Sequence, residues 1–208
     1  TAAKMHEKSI ELEPNGSNAY SNLGTSYKYL GLSDKAIISY KKAIELDPNF
    51  VNTHFDLATM YLASEDFKNG WKEYEWRFKK EEMIPHIIKH KDIFSKPMFT
   101  GLEDIKGKTL LLHSEQGYGD SIQFIRFAPQ IKEIFGCKIA VKCREGLKEL
   151  FSTIEEIDVI VDRSEETPAF DYQLSIMSMP FILDMKSTDE LRKKMQYLKA
   201  IFDKDKEI

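Results

Sequence analysis

The stretch GKTLLLHSEQGYGD, residues 107–120, followed by SIQFIRFAPQIKEIFG, residues 121–136, decides the fold of the second half of the chain. Leu110, Leu111 and Leu112 form the short unbroken apolar run of a strand buried on both faces, and Ile122, Ile125, Phe127 and Ile131 recur near the helical period. Between them, Gly117 and Gly119 permit positive φ angles and close approach of backbone to a ligand, and Asp120 stands where an N-cap residue would. The turn therefore aims backbone N–H groups and one carboxylate at a point beyond the carboxyl end of a strand, where open α/β sheets bind ligands.

Two common readings of such a turn fail. A dinucleotide fingerprint needs a small residue three positions after the second glycine, and that position is Ile122, so nicotinamide and flavin are not expected and no cofactor is called for. A phosphate-binding loop is suggested by Gly107-Lys108-Thr109, yet its upstream glycine would fall at Leu102, and the tripeptide precedes its strand.

Strands and helices alternate past the turn. A helix over 121–135 ends at Gly136; Lys138 to Lys142 reads as a strand, Glu145 to Ile154 as a helix and Asp158 to Asp162 as a strand. Asp171 to Met177 follows as a fourth strand and Asp189 to Phe202 as a final helix. This alternation implies crossovers and a parallel, Rossmann-like α/β sheet over 107–208.

The first part of the chain repeats itself. Residues 17–50 align without a gap on residues 51–84, a period of 34: Leu23 recurs as Leu57, Tyr27 as Tyr61 and Tyr40 as Tyr74. KSIELEPN from Lys8 and KAIELDPN from Lys42 repeat the end of a unit at the same spacing. Each unit reads as a helical hairpin, with Gly24 and Ala58 letting paired helices approach while Ala36, Tyr40 and Ala43 fill the space between. Residues 1–84 resemble tetratricopeptide repeats, one partial unit and two complete ones. About three repeats are usual for a stable array, the chain starts at Thr1, and Ala2 to Leu12 reads as the second helix of a unit lacking its first. A fragment of a longer chain is the expectation.

The first helices of such units line a groove, and Asn18, Asn22, Asn52 and Asp56 occupy matching positions. Side-chain amides there can hold an extended peptide backbone; the alternative is that short polar residues simply face water. Trp71, Tyr74, Trp76 and Phe78 are expected at the seam to the next domain. The segment 85–106 carries no clear period and reads as a linker. Its His86 and His90 are spaced i, i+4, but no third ligand is nearby, so no metal site is expected.

Net charge is −4 and divides evenly: residues 1–84 hold 11 basic and 13 acidic side chains. No segment has the basic excess of a nucleic-acid surface, and no apolar stretch approaches the roughly 18 residues of a membrane helix. Cys137 and Cys143, at opposite ends of a strand about 20 Å long, are too far apart for a disulfide and read as reduced, packed thiols. A cytoplasmic location is the expectation.

Taken together, the repeats, GWKEYEWR at 70–77, the run at 107–124 and DYQLSIMSMPFIL at 171–183 resemble repeat proteins that carry a GT-B glycosyltransferase-like domain related to heptosyltransferases. A departure lies at Phe99-Thr100-Gly101, where that family has tryptophan near the glycine. The resemblance implies the N-terminal, acceptor-side half of a GT-B fold, a protein or glycan acceptor, and a sugar nucleotide held by the other half of a full-length parent. Gly117-Tyr118-Gly119-Asp120 matches the turn whose carboxylate serves as general base, which implies Asp120 in that role with Gln116, Gly117, Gly119, Gln123 and Arg126 as acceptor or phosphate contacts. An interaction scaffold without catalysis is the competing expectation. His113, ending a buried strand, reads as a core histidine.

Overall fold

The computed structural model describes residues 2–83, 90–115, 117–192 and 197–199. Two compact units result, Thr1–His86 with Lys186–Thr188 and Ile87–Met185 with Asp189–Ile208.

The first unit is helical. α1 spans Ala2–Leu12, α2 Ser17–Tyr29, α3 Ser33–Leu46, α4 Val51–Ala63 and α5 Phe67–Tyr74, with a 3₁₀ turn over Glu75–Lys79. Ala36, Tyr40, Ala43 and Ala58 are fully buried, and Tyr40, Leu57, Met60 and Tyr61 form one cluster. Between α2 and α4, Ser21 and Thr53 share a buried hydroxyl–hydroxyl hydrogen bond of 2.8 Å. Asp66 caps α5 by accepting from the backbone N–H of Asn69. Trp71 is buried edge-on to Tyr74, and Trp76 stacks on the imidazole of His54 with ring centroids 3.7 Å apart. Arg77, also buried, lies over the rings of Tyr74 and Phe78 and donates to Glu75 at 2.6 Å.

The second unit is an α/β sheet of four parallel strands, Rossmann-like as expected. Strands β1 (Thr109–His113), β2 (Lys138–Cys143), β3 (Val159–Asp162) and β4 (Tyr172–Ser175) lie in the order β3-β2-β1-β4. The chain steps outward from β1 to β3 and then returns to the other side of β1, so the strand order switches direction between β1 and β4. Leu110, Leu111 and Leu112 are completely buried, as a central strand covered on both faces requires. The amino-terminal edge is clipped by two carboxylates: Asp158 accepts from the Ile139 N–H, and Asp171 from that of Thr109. Residues 91–106 pack against the sheet, with Ile93 against Leu111 and Ala140 and with the Phe99 N–H donating to the Gln173 carbonyl.

Several helices differ from their sequence reading. The helix expected over 121–135 starts earlier and is interrupted: helical turns cover Tyr118–Phe124 and Ala128–Phe135, with a 3₁₀ turn at Ile125–Phe127. Pro129 is the cause, because it cannot donate to the Ile125 carbonyl and its ring would crowd that oxygen. The helix expected over Glu145 to Ile154 shrinks to Lys148–Phe151, since Gly146 takes φ +80°. Strand β4 stops at Ser175, whose hydroxyl accepts from the Met177 N–H and turns the chain into a 3₁₀ segment. The final helix is seen only as Asp189–Arg192; Tyr197–Lys199 are not helical, and the rest of that expectation lies outside the described residues.

Candidate functional site

Strand β1 delivers the chain to the carboxyl edge of the sheet, where the Ser114 N–H donates to the Lys142 carbonyl. The next helix begins at Tyr118, and Gly117 is its N-cap with φ −67° and ψ 176°. Neither Gly117 nor Gly119 adopts a positive φ, contrary to the sequence expectation. Ordinary extended backbone suffices to enter this helix. Asp120 is not the N-cap either: it sits third in the helix, half-buried, in the first turn. Ser121 locks the turn instead, its hydroxyl and its N–H both donating to the Gly117 carbonyl at 3.0 and 3.2 Å.

Of the other candidates, Gln116 lies outside the described residues. Gln123 is exposed, and its carbonyl accepts from Arg126 Nε at 2.6 Å. The Arg126 guanidinium lies 4.4 Å over the Tyr197 ring and donates to its hydroxyl, so Arg126 is drawn toward the C-terminal segment. His113 is buried, with Nε2 2.8 Å from the Gln173 amide oxygen and its ring edge-on to Phe94, as a packed core histidine.

Sequence reasoning missed the pocket beside this turn. A cavity of about 360 Å³ opens at the carboxyl edge of the sheet, lined by His90, Tyr118, Arg144, Arg163, Glu145 and Asp162 among others. Cys143 of β2 pairs in register with Asp162 of β3, so Arg144 and Arg163 are the next residues on two adjacent parallel strands. One terminal nitrogen of Arg163 donates to the Ser114 carbonyl at 2.6 Å, tying the end of β3 to that of β1. Burial, and then the neighbouring charge of Arg144, lower the Arg163 pKa. The signal that could have found them was an arginine just after each of two consecutive strands, in KCREG and VDRSE.

In the first unit, Asn18 and Asn22 are exposed on α2, as Asn52 is on α4. Asp56 is half-buried and engaged by Lys28 at 3.4 Å, an ion pair that links α2 to α4. Asn52 lines a pocket of about 260 Å³ with Asp47, Asn49, Lys79 and Glu82. Buried His54 is held by Glu73 at 2.5 Å and by the Pro48 carbonyl at 3.0 Å, a structural role.

Two overlapping segments, 17–50 and 39–74, match family profiles of the tetratricopeptide repeat. Residues 17–74 are tetratricopeptide repeats. Among solved structures, the repeats resemble the TPR2B domain of yeast Sti1 in its pHsp70 complex at 26% identity and a TM-score of 0.38, covering 45% of this chain and 75% of that one. The TPR2AB domain of the same protein, in its pHSP90 complex, is similar at 25% identity and a TM-score of 0.37, covering 45% of this chain and 36% of that one. The Thermobaculum terrenum O-GlcNAc transferase mutant K341M is similar at 12% identity and a TM-score of 0.37, covering 77% of this chain and 37% of that one. None superposes closely enough to transfer a residue role. No curated protein matches. Among the described residues, no helix is long and apolar enough to cross a membrane.

Proposed function

We propose that this chain is the acceptor-side half of an inverting glycosyltransferase of the GT-B, heptosyltransferase-related kind, with its repeats holding a protein or glycan acceptor. The observation that carries the reading is Asp120, a carboxylate in the first turn of the helix that follows an interior strand of a parallel sheet. Next to it, Tyr118 lines the carboxyl-edge pocket. In this reading Asp120 takes the proton from the acceptor hydroxyl as that oxygen attacks the anomeric carbon of the donor sugar, and the nucleoside diphosphate leaves. The donor is held by a second α/β domain facing this one, and Gly117, Gly119 and Gln123 line the acceptor approach. The domain limits that go with it are repeats over 1–84, a linker over 85–106 and the half-domain over 107–208.

The test is transfer of labelled sugar from nucleotide sugars by the protein at its natural length. Asp120→Asn is expected to lower turnover by about 10²- to 10⁴-fold with folding intact, the usual contribution of a general base. Unchanged turnover rejects the assignment. A second reading, a scaffold in which the α/β unit is structural, is favoured by the ordinary backbone of Gly117 and by Arg163 bracing the Ser114 carbonyl. It predicts no transfer at all and undiminished capture of a protein partner by Asp120→Asn.

A further inference from the structure

We propose that the pocket at the carboxyl edge of β2 and β3 binds a phosphorylated sugar, with its phosphate between Arg144 and Arg163 and its ring against Tyr118. The placement of the arginines begins with the register. Because Cys143 and Asp162 pair across parallel strands spaced about 4.8 Å apart, the residues that follow them leave the sheet side by side. Both are half-buried, so two like charges are held close together where water screens them poorly. A planar guanidinium offers several N–H donors in a fork that suits phosphate oxygens, and Arg163 is oriented by giving one nitrogen to the Ser114 carbonyl.

The remaining lining selects more than a bare anion. About 360 Å³ is far more space than a phosphate group fills and falls within the range of small-molecule sites. Tyr118, with 51% of its surface exposed, lines this space, and the Arg144 guanidinium lies 5.4 Å from its ring centroid. Glu145 and Asp162 supply hydrogen-bond acceptors suited to sugar hydroxyls. One Asp162 oxygen already accepts from the N–H and hydroxyl of Ser164, which turns part of that carboxylate toward its own loop. The site does not depend on Asp120 acting as a base: a scaffold with no transferase activity would bind the same ligand.

Titration calorimetry on this 208-residue chain with inorganic phosphate, glucose, glucose 6-phosphate and UDP-glucose tests the proposal. Glucose 6-phosphate is expected to bind at least tenfold more tightly than phosphate, with no heat from glucose. Arg144→Gln and Arg163→Gln should each weaken it about tenfold or more, the usual loss for a hydrogen bond to a charged group. Tyr118→Ala should weaken glucose 6-phosphate and leave phosphate unchanged. Since Arg163→Gln also loses the brace on Ser114, Arg163→Lys and thermal melts separate weakened binding from weakened folding. Absence of glucose 6-phosphate binding at millimolar concentration, or binding that survives both arginine variants, overturns the proposal. Tighter binding of UDP-glucose overturns it as well, by assigning the arginines to a diphosphate.

Discussion

Gly24 faces Tyr40 with no room for a side chain between them: a Cβ on Gly24 would fall 2.6 Å from Cδ1 and 2.7 Å from Cε1 of the ring. Tyr40 cannot swing away, because it is fully buried and its hydroxyl is 3.2 Å from that of Thr25. Burial pushes its phenol up to about 12. Gly24→Ala therefore sets two effects in opposition. Alanine is better than glycine inside a helix by about 1 kcal/mol, and overpacking costs about 1–3 kcal/mol. Packing is expected to win, with a net loss of about 1 kcal/mol in urea unfolding. Gly119→Ala is the control, since among the described residues nothing lies within 4 Å of a Cβ there, and it should be neutral or stabilising. A Gly24→Ala protein more stable than wild type would refute the close approach.

The thiols report on a different part of the core. Cys143 is buried, and burial followed by the charge of Asp162 pushes its thiol up to about 11; burial also raises that of Cys137. Both should resist a thiol reagent at pH 8 in the native protein and react quickly in urea. A raised native pKa means that the protonated thiol is favoured by folding. Its contribution is complete below the unfolded pKa near 8.5 and disappears as pH climbs through about 11. Stability should therefore decline across that alkaline window, and Cys143→Ala should flatten the decline. Rapid labelling of native protein would contradict this packing.

How far the sequence could be read depended on whether a signal was local or came from assembly. The 34-residue period placed Ala36, Tyr40 and Ala58 correctly, because a tyrosine or a small residue recurring at the same place in each unit meets the same kind of neighbour. The three leucines placed β1 for a similar reason: only a covered central strand tolerates them. Pro129 was legible too, though its effect on the helix around 125–127 was overlooked. Arg144 and Arg163 were not, because their partnership comes from the pairing of β2 with β3, across 19 residues of chain. Asp120 was misplaced by three positions in its helix because two glycines suggested a longer irregular turn than the backbone makes.

Buried Lys142 sets a third expectation. Its ammonium donates to Asp92 at 3.2 Å, to the Glu165 carbonyl at 3.1 Å and to Thr167 at 2.5 Å. Partial burial works to raise the Asp92 pKa, but hydrogen bonds from Thr167 and Lys142 and the lysine charge outweigh it, and the net shift is downward. A lowered native pKa gives stability that is present above the unfolded value near 4 and is lost as pH falls through the native one. Asp92→Asn should cost about 2 kcal/mol at pH 7 and make the acid limb of the stability curve shallower. Lys142→Met should cost less, because the half-exposed Asp92 can return to water whereas the lysine cannot. The reverse order of the two variants would show that the ammonium is better hydrated than its 6% exposure implies.

Gly117 separates a structural requirement from a functional one. As the N-cap, with φ −67° and ψ 176°, it occupies a conformation open to any residue, and among the described residues a Cβ there would meet only Asp120 Oδ2 at an ordinary 3.7 Å. Serine is a preferred cap, able to accept from an N–H in the first turn, and replacing glycine also reduces the entropy of the unfolded chain. Gly117→Ser should therefore raise stability by about 0.5–1 kcal/mol in thermal melts. If a bound acceptor must approach this backbone closely, the same variant should lower sugar transfer at natural length while the melt improves. A destabilised Gly117→Ser protein would mean that the turn differs from the one described, and a stabilised, fully active one would mean that no ligand touches residue 117.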